Sequence, residues 1–303
     1  MDLLQRQAEA LTGETAVREW IVVANGNAPL VRTAGLKRAP RVVEIGDNGG
    51  SAVGFAVGIS AALADDANRL VLLLDEDNLP GPKMIDGLLV ALREEVDASM
   101  VAAYRPRLYW AEARGIVARR ADSCLGFHLF DLPGKVWRRA FGAPAVRRRV
   151  AMASAGYGGV MFGRGVVERI GLPEPGFVLY ADDTEWTLRL TRAGGRIVLA
   201  TDLVVTEMDG AVAIGPGAFS VRRWLEVSED FRLFYGARNE AFIDAHRLRR
   251  SRLMHGLNRA AMLVILRLFS RGRSRRFALA EAMAAGEAGR LGVEPRFPLP
   301  EAR

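Results

Sequence analysis

The chain has 303 residues, half of them hydrophobic and a quarter charged, which is the composition of an ordinary globular protein. Its single cysteine, Cys124, excludes a disulfide scaffold and any zinc site built from several cysteines. The longest apolar run, 260–266, is far shorter than the roughly 20 residues that a membrane-spanning helix needs. Residues 1–19 mix Gln, Arg and Glu among apolar residues, unlike a signal peptide. We therefore expect a cytoplasmic protein without a membrane span.

The excess positive charge is concentrated in one segment. The whole chain carries a net charge of +7, yet residues 245–280 contain ten arginines and no acidic residue, which leaves −3 for the rest. Because the positive charge is confined to one segment, the rest of the chain does not form a generally cationic surface that would bind nucleic acid. Few aromatic residues lie within the basic segment to stack on bases. We predict that nucleic acid is not a partner.

Three apolar stretches open the chain, and each ends in a polar or glycine-rich turn. They span 20–24, 41–45 and 70–74, and helical patterns at 52–64 and 82–95 follow the second and third. Short runs of Val, Ile and Leu that alternate with helices predict an α/β fold with a mostly parallel sheet flanked by helices. Such sheets bind ligands beyond the carboxyl ends of their strands, which is where these turns lie.

The pattern weakens between 104 and 150, a basic and aromatic stretch that we interpret as an excursion over the active face. Order returns at the glycine turn 156–159, which leads into a strand. A helix is predicted over 184–193, and strands over 196–200 and 203–206.

A linker-like stretch, 210–217, divides the chain. We predict a catalytic domain over 1–215 and a helical region over 216–303, arginine-rich at 245–280.

Two aspartates lie two residues apart at the end of the third predicted strand. If the extended geometry continues, the carboxylates of Asp75 and Asp77 point to the same side. Two hard oxygen donors suit Mg²⁺ or Mn²⁺. A solvated acidic turn that caps the next helix is the alternative, and the residues alone leave both interpretations open.

Three acids also cluster at the start of the helix predicted at 184–193: Asp182, Asp183 and Glu185. Acidic residues there stabilise a helix through capping and the helix dipole. The alternative is that one carboxylate faces the cleft and removes a proton from an attacking hydroxyl.

The ordered set of these motifs resembles the family-two glycosyltransferases of the GT-A fold. It runs through Asn25-Gly26, Asn48 with the glycines after it, Asp75-Glu76-Asp77, Gly158-Gly159, and Asp182 to Trp186 with Arg189. It is most similar to the bacterial rhamnosyl- and galactofuranosyltransferases. Residues 234–239, Phe-Tyr-Gly-Ala-Arg-Asn, look like the Tyr-x-x-Arg-Asn segment that follows their catalytic domain.

This resemblance implies transfer of a sugar, with inversion, from a nucleotide diphosphate donor such as a UDP- or dTDP-sugar. The implied acceptor is a hydroxyl of a cell-envelope, capsular or lipid-linked glycan. Asp183 matches the general base, and Asp182 and Glu185 would orient that base or hold the acceptor. The implied ligands of a Mn²⁺ or Mg²⁺ ion are Asp75, Asp77 and Glu207. The implied donor-binding residues are Asn25, Asn48, Gly50, Asp75, Gly158 and Gly159, and the implied acceptor-binding residues are Trp186 and Arg189.

The chain also departs from the family pattern. Residues 1–19 match only the helix that follows the family's first strand, so we expect that strand, which is central in the family's sheet, to be absent from this sequence, either because the sequence begins late or because another segment fills its position. We expect its neighbours to have unpaired backbone groups. Ala24 replaces the aspartate that binds the base, and Glu207 stands where the family often has a metal-binding histidine. A catalytically silent glycan- or nucleotide-binding relative and a nucleotidyltransferase therefore remain alternatives.

The arginine-rich segment has an amphipathic pattern. On a helical wheel one arc of about 120° collects Leu253, Met254, Leu257, Ala261, Val264, Ile265 and Leu268. Arg252, Arg259 and Arg267 fall outside it. This pattern is typical of a helix in an anionic membrane interface, here the inner face of the plasma membrane. The alternative is packing on the catalytic domain or on a second subunit of a homo-oligomer.

Overall fold

The protein is described by a computed structural model over residues 3–26, 33, 35–117, 119–208, 224, 229–269 and 273–300. In that part of the chain the strands are β1 Ile21–Asn25, β2 Arg41–Ile45, β3 Leu70–Leu73, β4 Asn78–Pro80, β5 Ala98–Tyr104, β6 Arg149–Met152, β7 Val160–Gly163 and β8 Arg196–Glu207. The helices are α1 Leu3–Leu11, α2 Gly50–Leu63, α3 Met84–Glu94, α4 Leu132–Phe141, α5 Arg164–Ile170, α6 Asp182–Arg192, α7 Asp230–Phe242, α8 Arg252–Phe269 and α9 Arg273–Glu287. None of these helices is long and apolar enough to cross a bilayer.

The strands form two sheets. β1 and β2 pair in parallel, and the larger sheet has the order β3-β7-β5-β8-β4, with β6 also paired to β8. In the larger sheet, β5 and β8 form the one parallel pair among the described strands. β7 is antiparallel to both of its neighbours, β3 and β5. β4 and β6 also run antiparallel to β8. The α/β class is confirmed, but the larger sheet is mixed rather than mostly parallel, because β7 enters it between β3 and β5 in the opposite direction.

The β1–β2 pair is separate from the larger sheet in the part of the chain described. α2 packs on both β1 and β3, so the two strands share one covering helix. Just before these strands, Asn68 Nδ2 donates to Glu19 Oε2 at 2.9 Å, and Arg18 pairs with Asp65. β1 and β3 therefore lie near each other at their starts without a common ladder in the described part of the chain.

Helices cover both faces of the larger sheet. On one face Trp186 of α6 packs with Phe162 of β7 and Ile59 of α2. On the other face Leu88 of α3 packs with Met161 of β7. Residues 161 and 162 face opposite sides because side chains alternate along a strand. The sheet is therefore buried on both faces, as the continuous apolar strands predict.

The C-terminal region is helical, as predicted. α7, α8 and α9 form their own hydrophobic cluster, to which Phe127 from the basic and aromatic stretch contributes. A Cβ at Gly286 of α9 would lie 2.0 Å from the carbonyl oxygen of Arg238 in α7, so the two helices touch through their backbones. The predicted boundary at 215 and the linker 210–217 lie outside the described residues.

Candidate active site

Two carboxylates and one arginine meet where the central strands end. β5 and β8 are parallel, so Arg105, directly after β5, and Glu207, at the end of β8, lie at the same edge. Arg105 Nη2 and Nε lie 2.7 and 3.1 Å from Glu207 Oε1. Its Nη1 lies 3.4 Å from Oδ2 of Asp75, two residues after β3. The guanidinium thus joins the ends of three strands.

The glycine turn 156–159 provides the room for this cluster. A Cβ at Gly158 would lie 2.0 Å from Asn78 Oδ1, 2.6 Å from Arg105 Nη1 and 2.7 Å from Asp75 Oδ2. A Cβ at Gly156 would lie 3.1 Å from Asp183 Oδ2. Asp75 and Asp183 therefore approach the same short turn from different elements.

The start of α6 holds the acidic residues in fixed positions. Asp183 is half-buried, and its Oδ1 accepts a hydrogen bond from the backbone N–H of Thr184. Asp182 is buried, and Ser51 Oγ of α2 lies 3.0 Å from both of its carboxylate oxygens. The Asp183 carboxylate therefore faces Gly156 of the glycine turn, while Asp182 ties α6 to α2.

Burial raises the pKa values of these carboxyl groups towards neutral pH. It raises the pKa of Asp75 to about 6 and that of Asp182 to about 7. Burial also raises the pKa of Asp183, although the positive charge of Arg105 opposes the shift. The charge of Asp183 in turn raises the pKa of Asp75. Carboxyl groups that titrate near pH 7 are suited to accept and release protons.

The predicted metal ligands are already engaged by protein groups. Arg105 holds both Asp75 and Glu207, and Asn78 Nδ2 donates to Asp77 Oδ1 at 2.8 Å. No group of three His, Cys, Asp or Glu residues that could hold a metal ion occurs in the described part of the chain. As arranged, the three predicted ligands do not fit a Mn²⁺ or Mg²⁺ ion, because the positive charge of the Arg105 guanidinium already lies between Asp75 and Glu207.

Two residues predicted to bind the donor instead build the turn before α2. Asn25 Nδ2 donates to Gly50 O at 2.8 Å, and its Oδ1 accepts from Gly49 N at 2.9 Å. Asn48 Oδ1 accepts from Gly50 N at 3.0 Å. Gly50 has a positive φ of 80°, and a Cβ there would lie 2.0 Å from Val178 O. These contacts give the three predicted residues a structural role.

Gly159 likewise lies within the sheet. Its N–H donates to Leu73 O at 2.8 Å, and its carbonyl accepts from Ala103 N at 2.8 Å. Its φ is 91°, a conformation that favours glycine. Gly159 therefore connects β3 to β5 rather than facing a ligand.

The remaining predicted residues of α6 point into the protein. Trp186 is fully buried, and its Nε1 donates to Gly171 O at 2.8 Å. Arg189 Nη1 donates to Ile170 O at 2.9 Å. Glu185 is 1% exposed and forms ion pairs with Arg189 and Arg247. Their positions do not support acceptor binding by Trp186 and Arg189 or a catalytic part for Glu185, because the polar groups of all three are engaged by other parts of the protein.

Sequence reasoning missed two residues of the site. Arg105 is the central cation, and the Tyr109 hydroxyl accepts a hydrogen bond from Gly156 N at 2.7 Å. Arg105 directly follows β5. Like Asp75, it could have been singled out because ligands bind beyond the carboxyl ends of strands, but only once β5 is recognised.

A third missed residue, Asn239 of α7, supports the loop before α6. Its Nδ2 lies 2.7 Å from Phe177 O, 2.9 Å from Leu179 O and 2.8 Å from Tyr180 O. The sequence signal for it was the Arg-Asn pair of the Tyr-x-x-Arg-Asn segment.

An open pocket of about 190 Å³ adjoins the cluster. It is lined by Arg105, Pro106, Arg107, Val204, Val205, Thr206 and Glu207. The pocket is large enough for part of a small polar ligand, and its charged lining comes from two arginines and one glutamate.

Comparisons with known proteins give distant structural similarity only. No protein-family model matches the chain, and no curated protein matches it. The mannosyltransferase PcManGT from Pyrobaculum calidifontis, solved with GDP-Man and Mn²⁺, is 16% identical with a TM-score of 0.49, over 95% of this chain and 83% of that chain. GalNAc-T7, solved with UDP, GalNAc and Mn²⁺, is 10% identical with a TM-score of 0.46, over 76% of this chain and 45% of that chain.

The protein A197 from STIV is 14% identical with a TM-score of 0.36, over 56% of this chain and 73% of that chain. The similarity to GalNAc-T7 covers less than half of that protein. With identities this low and TM-scores below 0.5, these similarities do not assign an activity to this chain.

Proposed function

We propose that this chain is an inverting glycosyltransferase that uses a nucleotide diphosphate sugar. The observation that carries the proposal is the convergence of Asp75, Arg105 and Asp183 on the glycine turn 156–159. This cluster lies at the ends of the strands, where α/β sheets bind ligands. The ordered motifs shared with family-two glycosyltransferases support the same activity.

In the proposed reaction the acceptor hydroxyl attacks the anomeric carbon while the bond from that carbon to the diphosphate oxygen breaks. The hydroxyl proton passes to the carboxylate of Asp183, whose Oδ2 faces the turn. A single displacement of this kind inverts the anomeric centre. Arg105 and Arg107 line the adjoining pocket and supply positive charge for the leaving diphosphate.

The direct test is release of nucleoside diphosphate from a panel of UDP-, dTDP- and GDP-sugars, with and without an added glycan acceptor. Each reaction is run once with Mn²⁺ and once with EDTA, and Asp183→Asn serves as the background. Release that exceeds the variant's background supports glycosyl transfer. Equal release by wild type and variant with every donor contradicts it.

A catalytically silent relative is the second candidate. Two observations favour it. The side chains of Asn25 and Asn48 form hydrogen bonds with the backbone of the turn. Ala24 is fully buried at the position where the family has an aspartate that binds the base. A nucleotidyltransferase is the third, because it would use similar acidic residues. Product analysis distinguishes them: pyrophosphate indicates nucleotidyl transfer, and binding of a nucleotide without any product indicates the silent relative.

We also propose that this protein binds anionic membranes through a basic-apolar face. This face consists of the exposed apolar side chains Val136, Trp137 and Phe141 of α4 and Leu253, Leu257, Val264 and Leu268 of α8. No residue of α4 is buried. α8 packs on the protein through its other side, where Asn258 and Met262 are fully buried. The arc predicted from the helical wheel is therefore largely uncovered by the described part of the chain.

The segment just before α4 contacts α8. Leu129 N, just before α4, donates to Asn258 Oδ1 of α8 at 3.0 Å, which brings the start of α4 onto α8. Neither α4 nor α8 contains an acidic residue, and both carry arginines. A second copy of the chain would place like charges against each other, whereas an anionic lipid surface is complementary in charge.

Vesicle sedimentation tests this membrane proposal. We expect recovery with vesicles that contain phosphatidylglycerol and little recovery with phosphatidylcholine alone. Leu257→Glu with Val264→Glu should weaken binding at least about tenfold, because two apolar contacts are lost and two negative charges are added. Val96→Glu, at a residue that is 75% exposed outside this face, is the matched control and should bind as wild type does. Equal recovery with both kinds of vesicle would reject the proposal.

A further inference from the structure

We propose that Arg105 is the resident cation of this site and occupies the position between Asp75 and Glu207 where the sequence predicts a divalent metal ion. Two guanidinium nitrogens share Glu207 Oε1, at 2.7 and 3.1 Å, and the third nitrogen approaches Asp75 Oδ2 at 3.4 Å. A metal ion bound by Asp75 and Glu207 would have to lie between these same two carboxylates. The guanidinium and the ion therefore compete for one position.

The surroundings of Arg105 strengthen its hold. Its side chain is 15% exposed and that of Glu207 is 11% exposed, so solvent screens this pair poorly. Displacing the arginine without replacing its charge would leave a largely buried carboxylate unpaired, which is strongly unfavourable. The binding free energy of an incoming ion therefore has to compensate for the loss of the Arg105–Glu207 ion pair before contacts with Asp75 give net stabilisation.

The backbone also fixes the arrangement. β4 pairs with β8 in a register that sets Asn78 opposite Glu207, and β5 pairs with β8 in a register that sets Tyr104 opposite Val204. Arg105 thus leaves its strand beside the end of β8. The missing side chain at Gly158 leaves the space that the guanidinium fills, since a Cβ there would lie 2.6 Å from Nη1. The arginine site is built into the sheet and its glycine turn.

Binding of Mn²⁺ to the protein alone tests this inference without any donor sugar. The electron paramagnetic resonance signal of free Mn²⁺ falls as the ion binds, so a titration gives the affinity directly. We expect wild type to bind Mn²⁺ weakly and Arg105→Ala to bind it at least about tenfold more tightly, because Asp75 and Glu207 then become free ligands. The double variant Arg105→Ala with Asp75→Asn should lose that gain.

Arg107→Ala is the matched control, because it removes the same charge from the same pocket lining. It should bind Mn²⁺ as wild type does. Tight binding by wild type that Asp75→Asn abolishes would overturn the inference, and so would an equal gain in Arg107→Ala. The wild-type titration decides the question even if Arg105→Ala fails to fold.

One consequence depends on the proposed function. If the chain transfers sugars, its diphosphate release should survive EDTA, because Arg105 supplies the positive charge. Failure of every donor would contradict the proposed function, yet the Mn²⁺ titration would still decide the role of Arg105.

Discussion

Replacing Asp183 with asparagine is expected to lower turnover by about 10²- to 10⁴-fold, the usual contribution of a general base. The amide keeps the shape of the side chain but cannot accept the acceptor's proton. Asp183 Oδ2 lies against Gly156 of the glycine turn, whereas Asp75 and Arg105 lie against Gly158, so donor affinity should stay within about twofold of wild type. Diphosphate release at saturating donor measures turnover, and titration with the nucleoside diphosphate measures affinity.

The control for this variant is Asp202→Asn, which removes an aspartate that pairs with Arg148 and Arg149 at the surface. Its turnover should match wild type.

The pH profile adds a second check, because a general base works only when it is deprotonated. Burial raises the pKa of Asp183, so wild-type turnover should be full above that raised pKa and fall as the pH is lowered through it. Unchanged turnover in Asp183→Asn would remove Asp183 from the role of base.

The strands that are rich in Val, Ile and Leu could be located from sequence, whereas their directions could not. The apolar stretch 41–45 matches β2, and 70–74 matches β3 within one residue. β5, Ala98–Tyr104, was missed because three of its seven residues are alanine, which is depleted in strands. The direction of β7 depends on pairing with β3 and β5, which are distant in sequence, and no local pattern records it.

The same limit applies to the site. Asp75 and Asp183 could be singled out because each follows a recognisable local signal, a strand end or a helix start. Whether Trp186 faces the cleft or the core depends on where α6 packs, and the structure buries it against Phe162. Arg105 was missed because its strand was missed. Local chemistry was thus predictable, while the partner of each side chain required the tertiary fold.

The second large effect is expected at Asn239, which supports a strained loop. Val178, Tyr180 and Ala181 have positive φ values of 65°, 68° and 58°, which non-glycine residues rarely adopt. Asn239 is fully buried, and its Nδ2 contacts three carbonyl oxygens of 177–180. These hydrogen bonds help to hold the loop in this conformation. Because α6 begins directly after the loop, they also set the position of Asp183.

Asn239→Ala should therefore lower the free energy of unfolding by about 3 kcal/mol, since the carbonyls of Leu179 and Tyr180 lose the donor that Asn239 supplies and Phe177 O loses one of its donors. It should also lower turnover at least about tenfold, because a displaced Asp183 no longer meets the acceptor. Chemical denaturation measures the first effect. Diphosphate release at a temperature at which the variant is fully folded measures the second.

Asn258→Ala separates the positioning role of Asn239 from simple destabilisation. Asn258 is equally buried and also bonds a loop, through Asp122 O at 2.9 Å and Leu129 N at 3.0 Å. That loop does not lead into α6, so this variant should lose stability while the folded protein keeps its turnover. If both variants lose turnover equally, or if folded Asn239→Ala works as fast as wild type, the loop does not control the position of Asp183. A drop confined to Asn239→Ala, with donor affinity retained, is the result that a positioning role requires, because only the base would have moved.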